Sequence, residues 1–211
     1  MKTRRIFIKN TLGSIAALTF ATEGFSCITK SGKKKDKLGV ALVGLGYYST
    51  DLLAPALQQT EHCYLAGIVT GSPEKAKRWQ EQYKIPEKNY YDYASFDKIA
   101  NNPDIDIVYI VLPPSMHKEY VIRAANAGKH VWCEKPMAMT VEECQAMIDA
   151  CNKNKVKLSI GYRLHHEPNT QRIIQLRKEK KYGAIKTVSA IAGYVDNRTN
   201  HWKQTKALGG G

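Results

Sequence analysis

The 211-residue sequence lacks several patterns that would assign a protein to its class at once. No run of consecutive apolar residues reaches the roughly 18 that a membrane-spanning helix needs. The five cysteines have no metal-site spacing, and zinc-finger, basic-heptad and RNA-recognition patterns are missing. Collagen-like and coiled-coil repeats are missing too, and 43% hydrophobic residues are too many for a disordered chain. These absences predict a globular protein with no stable membrane span, no metal and no nucleic-acid partner.

Acidic residues are scarce at both ends of the sequence but not in its middle. Residues 1–37 hold nine Lys or Arg against two Asp or Glu, and residues 151–211 hold thirteen against three. Residues 38–150 hold ten against fourteen, so the net charge of +13 comes from the two ends alone. We therefore attribute the basic charge to a leader and to part of an incomplete domain, and not to a nucleic-acid surface.

Residues 1–30 have the form of an export signal. Arg4 and Arg5 precede Phe7 and Lys9, and a short apolar stretch follows over 12–20. The pair of arginines resembles a twin-arginine signal, which exports folded proteins. The pattern predicts a periplasmic or otherwise exported protein; the alternative is a basic amphipathic tail.

The end of this leader holds a possible attachment point for lipid. Cys27 closes the segment Gly-Phe-Ser-Cys, which loosely resembles a lipoprotein cleavage site. A lipid anchor at Cys27 is therefore the alternative location that we keep open. Lys-rich residues 31–37 predict a solvated linker. We expect the other four cysteines to be buried or partly buried thiols.

Apolar strands alternate with helical segments from residue 38 to residue 160. The predicted strands are 40–43, 64–69, 105–112, 130–133 and 156–160. The predicted helices are 52–59, 73–83, 96–101, 118–127 and 141–154. Such alternation is typical of an α/β protein with a parallel sheet and right-handed crossovers. We therefore predict a Rossmann-type, doubly wound NAD(P)-binding domain over 38–160.

The pattern changes after residue 160. A basic helix is predicted over 170–180 and a longer strand over 187–194, before three final glycines. One helix and one strand bury no core of their own. We expect residues 161–211 to be the beginning of an α+β substrate domain that is incomplete in this sequence.

A glycine-rich turn follows the first predicted strand. Gly44-Leu45-Gly46-Tyr47-Tyr48-Ser49 fits the dinucleotide-binding template G-x-G-x-x-G, with Ser49 in the third glycine position. In that template the first glycine permits the turn and the second lets a pyrophosphate approach the backbone. The turn predicts a dinucleotide site, although such turns also occur as plain structure.

The end of the second strand bears on the choice of cofactor. An Asp or Glu there would hold the ribose hydroxyls of NAD. The sequence instead offers Thr70, Ser72 and Lys75, which suit a 2′-phosphate. This favours NADP, with NAD as the alternative; an ordinary helix cap beside a solvated lysine would explain the same residues.

Two further motifs complete a resemblance to a known family. Ile110-Val-Leu-Pro-Pro-Ser-Met-His117 follows the most apolar strand, and Ala127-Gly-Lys-His-Val-Trp-Cys-Glu-Lys-Pro136 follows the next helix. Together with the glycine turn, they resemble the Gfo/Idh/MocA oxidoreductase family over residues 38–211. The likeness is strongest to its glucose–fructose oxidoreductase branch, whose members are exported with tightly held NADP.

The resemblance implies a set of site residues. With the turn and the strand end, it predicts cofactor contacts at Gly44, Leu45, Gly46, Tyr47, Tyr48, Thr70, Ser72, Lys75, Tyr93, Leu112, Pro113, His117, Glu134, Lys135 and Arg163. It predicts substrate contacts at Lys135, Arg163, His166 and Trp202. Oxidising a sugar hydroxyl requires a base or a polarising cation near the oxygen, which makes Lys135 the candidate catalytic residue. For His117 a capped helix start, and for Trp202 a core position, are the alternatives.

The family implies an NADP-dependent oxidoreductase that transfers hydride from a sugar or polyol. Because an exported enzyme exchanges nucleotide poorly, we expect a tightly held cofactor that two substrates use in turn, in a homo-oligomer. The family's acid–base motif D-x-G-x-H/Y does not occur in the 211 residues. The alternatives are a non-catalytic sugar- or nucleotide-binding member, an inactive fragment, or an NAD-dependent sugar dehydrogenase or glycosidase of the same family.

Overall fold

A computed structural model describes residues 35–193, 195, 199 and 201–209. The predicted signal, most of the linker and Cys27 lie outside the described residues. Six strands form one sheet: β1 Leu38–Val43, β2 Cys63–Val69, β3 Tyr90–Tyr91, β4 Ile107–Ile110, β5 His130–Cys133 and β6 Leu158–Ile160. Every neighbouring pair is parallel, and the strand order is β3-β2-β1-β4-β5-β6. This is the doubly wound order of a Rossmann fold, which confirms the predicted fold class.

Helices cover both faces of the sheet. The helices of the described residues are α1 Ala54–Leu57, α2 Pro73–Tyr83, α3 Pro114–Asn126, α4 Val141–Lys153, α5 Pro168–Glu179 and α6 Lys206–Gly209. A π-helical turn, Ser49–Leu53, leads into α1. Short 3₁₀ turns cover Glu87–Asn89, Phe96–Asn101, Arg163–His166 and Trp202–Gln204.

The central strand β1 shows why both faces are covered. Its side chains alternate between the two faces, as in any β-strand. Val40 and Leu42 join a core with Trp79 of α2, while Ala41 and Val43 join a second core with Val121 of α3. Because each face is apolar, the sheet is stable only with helices on both sides.

Local sequence signals explain where the helices begin. Ser72 caps α2 by accepting a hydrogen bond from the Lys75 backbone N–H. Thr140 caps α4 in the same way through the Glu143 N–H, at 3.3 Å. Helix α3 begins at Pro114, four residues earlier than predicted, because proline fits the first position of a helix.

The structure also corrects predicted strands. Residues 187–193 form no strand, and Val188 and Ile191 are 78% and 97% exposed. A strand needs a hydrogen-bonded neighbour, and no strand of the described residues pairs with this segment. The predicted strand 105–112 is also shorter, because only Ile107–Ile110 pairs with β1.

The four cysteines within the described residues are free thiols. Cys133 and Cys151 are buried, and Cys63 and Cys144 are partly buried, as predicted. Within the same residues, no helix is long and apolar enough to span a bilayer.

Candidate functional site

The predicted site residues gather at the carboxyl ends of the strands. In this strand order the chain runs outwards from β1 to β2 and β3, and then crosses from β3 to β4 on the other side of β1. The crevice outside the strand ends at such a switch point is where open α/β sheets bind ligands. The glycine turn follows β1 there, the 110–117 motif follows β4, and Glu134-Lys135-Pro136 follows β5.

The first glycine of the turn is required by the chain itself. Gly44 has a φ of +90°, and a Cβ there would lie 2.4 Å from the Val111 carbonyl oxygen. Its N–H donates to the Val69 carbonyl oxygen of β2, at 3.0 Å. Only glycine permits this turn between β2 and β4.

The second glycine faces open space. A Cβ at Gly46 would meet no described atom within 4 Å, and Gly46 is exposed. The packing of the described chain therefore does not require glycine at this position. An open side at the start of a helix suits the close approach of an anionic ligand to the backbone.

Ser49 closes the turn from inside. Its side chain is fully buried, and its hydroxyl donates to the Gly44 carbonyl oxygen at 2.6 Å. The serine in the third glycine position therefore replaces close packing with a hydrogen bond across the turn. Tyr47, in contrast, is 73% exposed.

The end of β2 provides hydroxyl groups and a cation beside the turn. Thr70 is buried, and its hydroxyl oxygen accepts a hydrogen bond from the Ser72 N–H at 3.2 Å. The Lys75 Nζ donates to the Leu45 carbonyl oxygen, at 3.4 Å. Ser72 is thus a helix cap, and the Lys75 ammonium lies against the glycine turn.

Tyr93 stands next to this strand end. Its ring carbons lie 3.3 Å from where a Cβ of Gly71 would be, so the Tyr93 ring lies against the Gly71 backbone. Arg123 holds the Tyr93 carbonyl oxygen at 3.1 Å and also pairs with Asp97. Burial raises the pKa of the Tyr93 phenol, which therefore stays protonated at neutral pH.

Glu134 is fixed through both of its carboxylate oxygens. The Tyr109 hydroxyl donates to Oε1 at 2.6 Å, and the Lys135 N–H donates to Oε2 at 3.2 Å. Burial, and then the neighbouring carboxylate, raise the pKa of Tyr109 well above its usual range. Tyr109 therefore remains a hydrogen-bond donor.

Lys135 is exposed, and its peptide bond to Pro136 is cis. Within the part of the chain that the structure describes, its ammonium group makes no hydrogen bond or ion pair. The side chain is therefore available to a ligand at the carboxyl end of β5.

His117 joins two segments of the site. The imidazole is fully buried, with Nε2 2.8 Å from the Leu112 carbonyl oxygen and Nδ1 2.9 Å from that of Pro136. Because both ring nitrogens face backbone carbonyl oxygens inside the protein, the ring is placed neither for a direct contact with a cofactor nor as a helix cap. The ring holds the Leu112-Pro113 turn and the Lys135-Pro136 segment together, so its effect on a cofactor would be through them.

Arg163 follows β6 and Tyr48 belongs to the glycine turn, and the charges of Arg163 and Glu134 both influence Tyr48. The Tyr48 pKa is raised by burial and by the Glu134 charge, and is partly lowered by Arg163. Both charged groups therefore act on the Tyr48 phenol. His166 is exposed on the same 3₁₀ turn as Arg163.

Trp202 is half-exposed and is not the core tryptophan of the alternative interpretation. Its ring contacts His201, with centroids 5.4 Å apart, and the Lys203 ammonium lies 5.5 Å from its centroid. The next segment, α6, packs on α3, the helix that follows the Leu112-Pro113 turn.

Two features of the site were not predicted from the sequence. The hydrogen bond of Ser49 and the contact between Tyr109 and Glu134 both depend on the three-dimensional fold. For Tyr109 a signal exists, since a hydroxyl-bearing residue near the end of an apolar strand needs a polar partner. Among the described residues, no group of three or more His, Cys, Asp or Glu could hold a metal ion.

Comparison with known proteins identifies relatives. The Gfo/Idh/MocA family model, described as an oxidoreductase family with an NAD-binding Rossmann fold, matches residues 38–162. A crystal structure of an aldose-aldose oxidoreductase from Caulobacter crescentus, complexed with glycerol, is 47% identical. It matches 83% of this chain and 52% of its own, with a TM-score of 0.82.

Two curated proteins are also similar. D-xylose 1-dehydrogenase [NADP(+)] of Haloarcula marismortui is 33% identical over 68% of this chain and 39% of its own length. Inositol 2-dehydrogenase of Salmonella paratyphi B is 33% identical over 59% of this chain and 37% of its own. The chain therefore spans about half of these relatives or less.

Adding a methyl group should have different effects at the two glycines of the turn, on stability at Gly44 and on nucleotide binding at Gly46. Gly44→Ala places a Cβ against Val111 in a left-handed backbone conformation and should destabilise the fold by about 2 kcal/mol. Gly46→Ala should leave the stability within about 0.5 kcal/mol and weaken nucleotide binding about tenfold, because the methyl group enters the open side. Urea unfolding and NADPH titration measure the two effects. Unchanged NADPH affinity in Gly46→Ala would contradict a pyrophosphate site at this turn.

Proposed function

This chain belongs to the Gfo/Idh/MocA oxidoreductase family, and we propose that it binds NADP and oxidises or reduces a sugar or polyol by hydride transfer. One observation carries the proposal. The glycine turn, with the Lys75 ammonium against it, and the segment that bears Lys135 lie at the same switch point of the sheet. A cofactor that extends between them would have its phosphates at one end and its reactive ring at the other.

The residues present fit NADP. Gly46 leaves room at the backbone, and the Nζ of Lys75 lies beside the turn with the hydroxyls of Thr70 and Ser72 nearby. No carboxylate follows β2 directly to repel a 2′-phosphate. When bound, NADP supplies a nicotinamide that accepts or donates a hydride. The NADP specificity of the Haloarcula marismortui relative supports the same choice.

Lys135 acts on the substrate oxygen. As hydride leaves a carbon of the sugar, the attached hydroxyl releases its proton to solvent, and negative charge develops on the oxygen. The exposed ammonium of Lys135 donates a hydrogen bond to that oxygen and stabilises the charge. Arg163 and His166, on the turn after β6, contribute polar groups to the sugar, and Trp202 provides an aromatic surface.

We propose further that two sugars use the same bound cofactor in turn. One sugar is oxidised and leaves the cofactor reduced, and a second carbonyl compound then reoxidises it. The similarity to an aldose-aldose oxidoreductase, at 47% identity, supports this scheme. The twin-arginine pattern of residues 1–30 supports it also, since export of a folded protein would retain a bound nucleotide.

Native mass spectrometry on the protein isolated from its source tests this scheme as a whole. The mass of retained NADP is expected, together with loss of the leader and a homo-oligomeric assembly. Lipid on Cys27 would support the anchored alternative. A protein that keeps residues 1–30 would contradict export, and one without nucleotide would contradict a retained cofactor.

Substitution of Lys75 tests the choice of cofactor. Lys75→Glu replaces the cation beside the turn by an anion and should weaken NADPH binding at least tenfold while changing NADH binding much less. The control is Lys77→Glu, which makes the same charge change at an exposed position of α2. Fluorescence titration with each nucleotide gives both affinities. Equal losses for NADPH and NADH would contradict a 2′-phosphate contact.

Substitution of Lys135 tests the chemistry. Lys135→Met should lower turnover with aldoses about a hundredfold or more, because the group that stabilises the oxygen is lost. NADPH affinity should stay within about threefold of the wild type. Lys98→Met, at another exposed position, is the control. Turnover is measured as reduction of bound NADP by an added aldose. A wild type that binds NADPH without turnover would favour the non-catalytic alternative.

A further inference from the structure

The hydroxyl of Tyr109 has no role in the function described so far. Tyr109 lies in β4 opposite Trp132 of β5, and the two rings meet edge to face with centroids 5.6 Å apart. The ring is half-buried and packs against the core on the α1 and α2 side. The hydroxyl reaches beyond this core to Oε1 of Glu134, at 2.6 Å.

The contact has the character of a strong, charge-assisted hydrogen bond. A hydrogen bond of this length from a phenol to a carboxylate is stronger than one between two neutral groups. The second oxygen of Glu134 accepts from the Lys135 N–H, so the side chain is held from two directions. Tyr109 thus connects strand β4 to the residue that precedes Lys135.

Glycine at position 161 shows how closely this carboxylate is surrounded. A Cβ at Gly161 would lie 2.6 Å from Oε1 of Glu134. The carboxylate therefore lies against the backbone that follows β6, while Tyr109 approaches it from β4. The Glu134 charge also raises the pKa of Tyr48, so the carboxylate lies on the side of the sheet where the glycine turn follows β1.

We propose that Tyr109 is a positioning residue, which fixes the Glu134 carboxylate so that it accepts the hydroxyls of the nicotinamide-side ribose. The inference rests on the proposed function, since it needs a dinucleotide in the crevice. Without the Tyr109 hydroxyl, the N–H of Lys135 is the one hydrogen-bond donor to Glu134 that remains among the described residues. Its carboxylate then rotates more freely, and the ribose loses a preorganised acceptor.

A purely structural role for Tyr109 makes a different prediction. Loss of core stability would reduce the binding of every nucleotide equally. A positioning role affects only ligands that have the nicotinamide-side ribose. Adenosine 2′,5′-bisphosphate lacks that ribose but keeps the adenosine and the 2′-phosphate, so it separates the two roles.

The test removes the hydroxyl group from one of two tyrosines in different strands of the sheet. Tyr109→Phe removes one hydroxyl and keeps the ring on Trp132. The control is Tyr91→Phe, in which the lost hydroxyl had bonded the Asn102 side chain at 2.7 Å, away from Glu134. Titration of both variants with NADPH and with adenosine 2′,5′-bisphosphate gives four affinities to compare with the wild type.

We expect Tyr109→Phe to weaken NADPH binding about tenfold and to leave the bisphosphate within about twofold. Tyr91→Phe should change both affinities equally or not at all. Glu134→Gln should also weaken NADPH, and the double variant Tyr109→Phe/Glu134→Gln should be no weaker than Glu134→Gln alone. That non-additivity is the signature of a residue that acts through another.

Three results would overturn the inference. They are equal losses for both ligands in Tyr109→Phe, no loss for either ligand, and additive losses in the double variant. If the wild type binds NADPH, any of these results contradicts the role of Tyr109 but does not contradict the proposed function. A wild type that does not bind NADPH overturns the proposed function and this inference together.

Discussion

The turn at Gly44 is the constraint on which the geometry of the site depends. The central strand ends there, and the chain must reverse between β2 and β4 without space for a side chain. The left-handed backbone of Gly44 achieves this, and the buried Ser49 hydroxyl then closes the turn. The same turn directs the start of the next helix at the crevice. The backbone proposed to face the pyrophosphate is therefore set by one glycine conformation.

The opposite side of the crevice is built by a different principle. The Glu134-Lys135-Pro136 segment has no glycine turn, and its backbone is held by side chains of the preceding strand–helix unit. Tyr109 fixes Glu134 from β4, and His117 of α3 fixes the Pro136 carbonyl. His117 is buried and Tyr109 is half-buried. The exposed Lys135 side chain thus stands on a backbone that two side chains of other elements hold.

The sequence predicts the fold well and locates the glycine turn at the carboxyl end of β1, because both depend on local rules. Hydrophobic alternation, the Ser72 cap and the glycine spacing each act within a few residues of the chain. The two-residue strand Tyr90–Tyr91 is too short to show a period. The contact of Tyr109 with Glu134, 25 residues away, and that of His117 with Pro136, 19 residues away, depend on the fold and not on local sequence. The strand expected over 187–194 failed for a related reason, since alternation alone does not provide a neighbouring strand.

The free thiols have a consequence for the chemical durability of the protein. Burial raises the pKa of Cys133 and Cys151, and burial together with Asp106 raises that of Cys63. Only the thiolate attacks disulfides and peroxides, so these sulfurs are poor nucleophiles at neutral pH. Burial and a raised pKa therefore both slow the oxidation of Cys133 and Cys151 while the sheet stays folded. Within the part of the chain that the structure describes, the packing of the core protects these two thiols, and neither forms a disulfide.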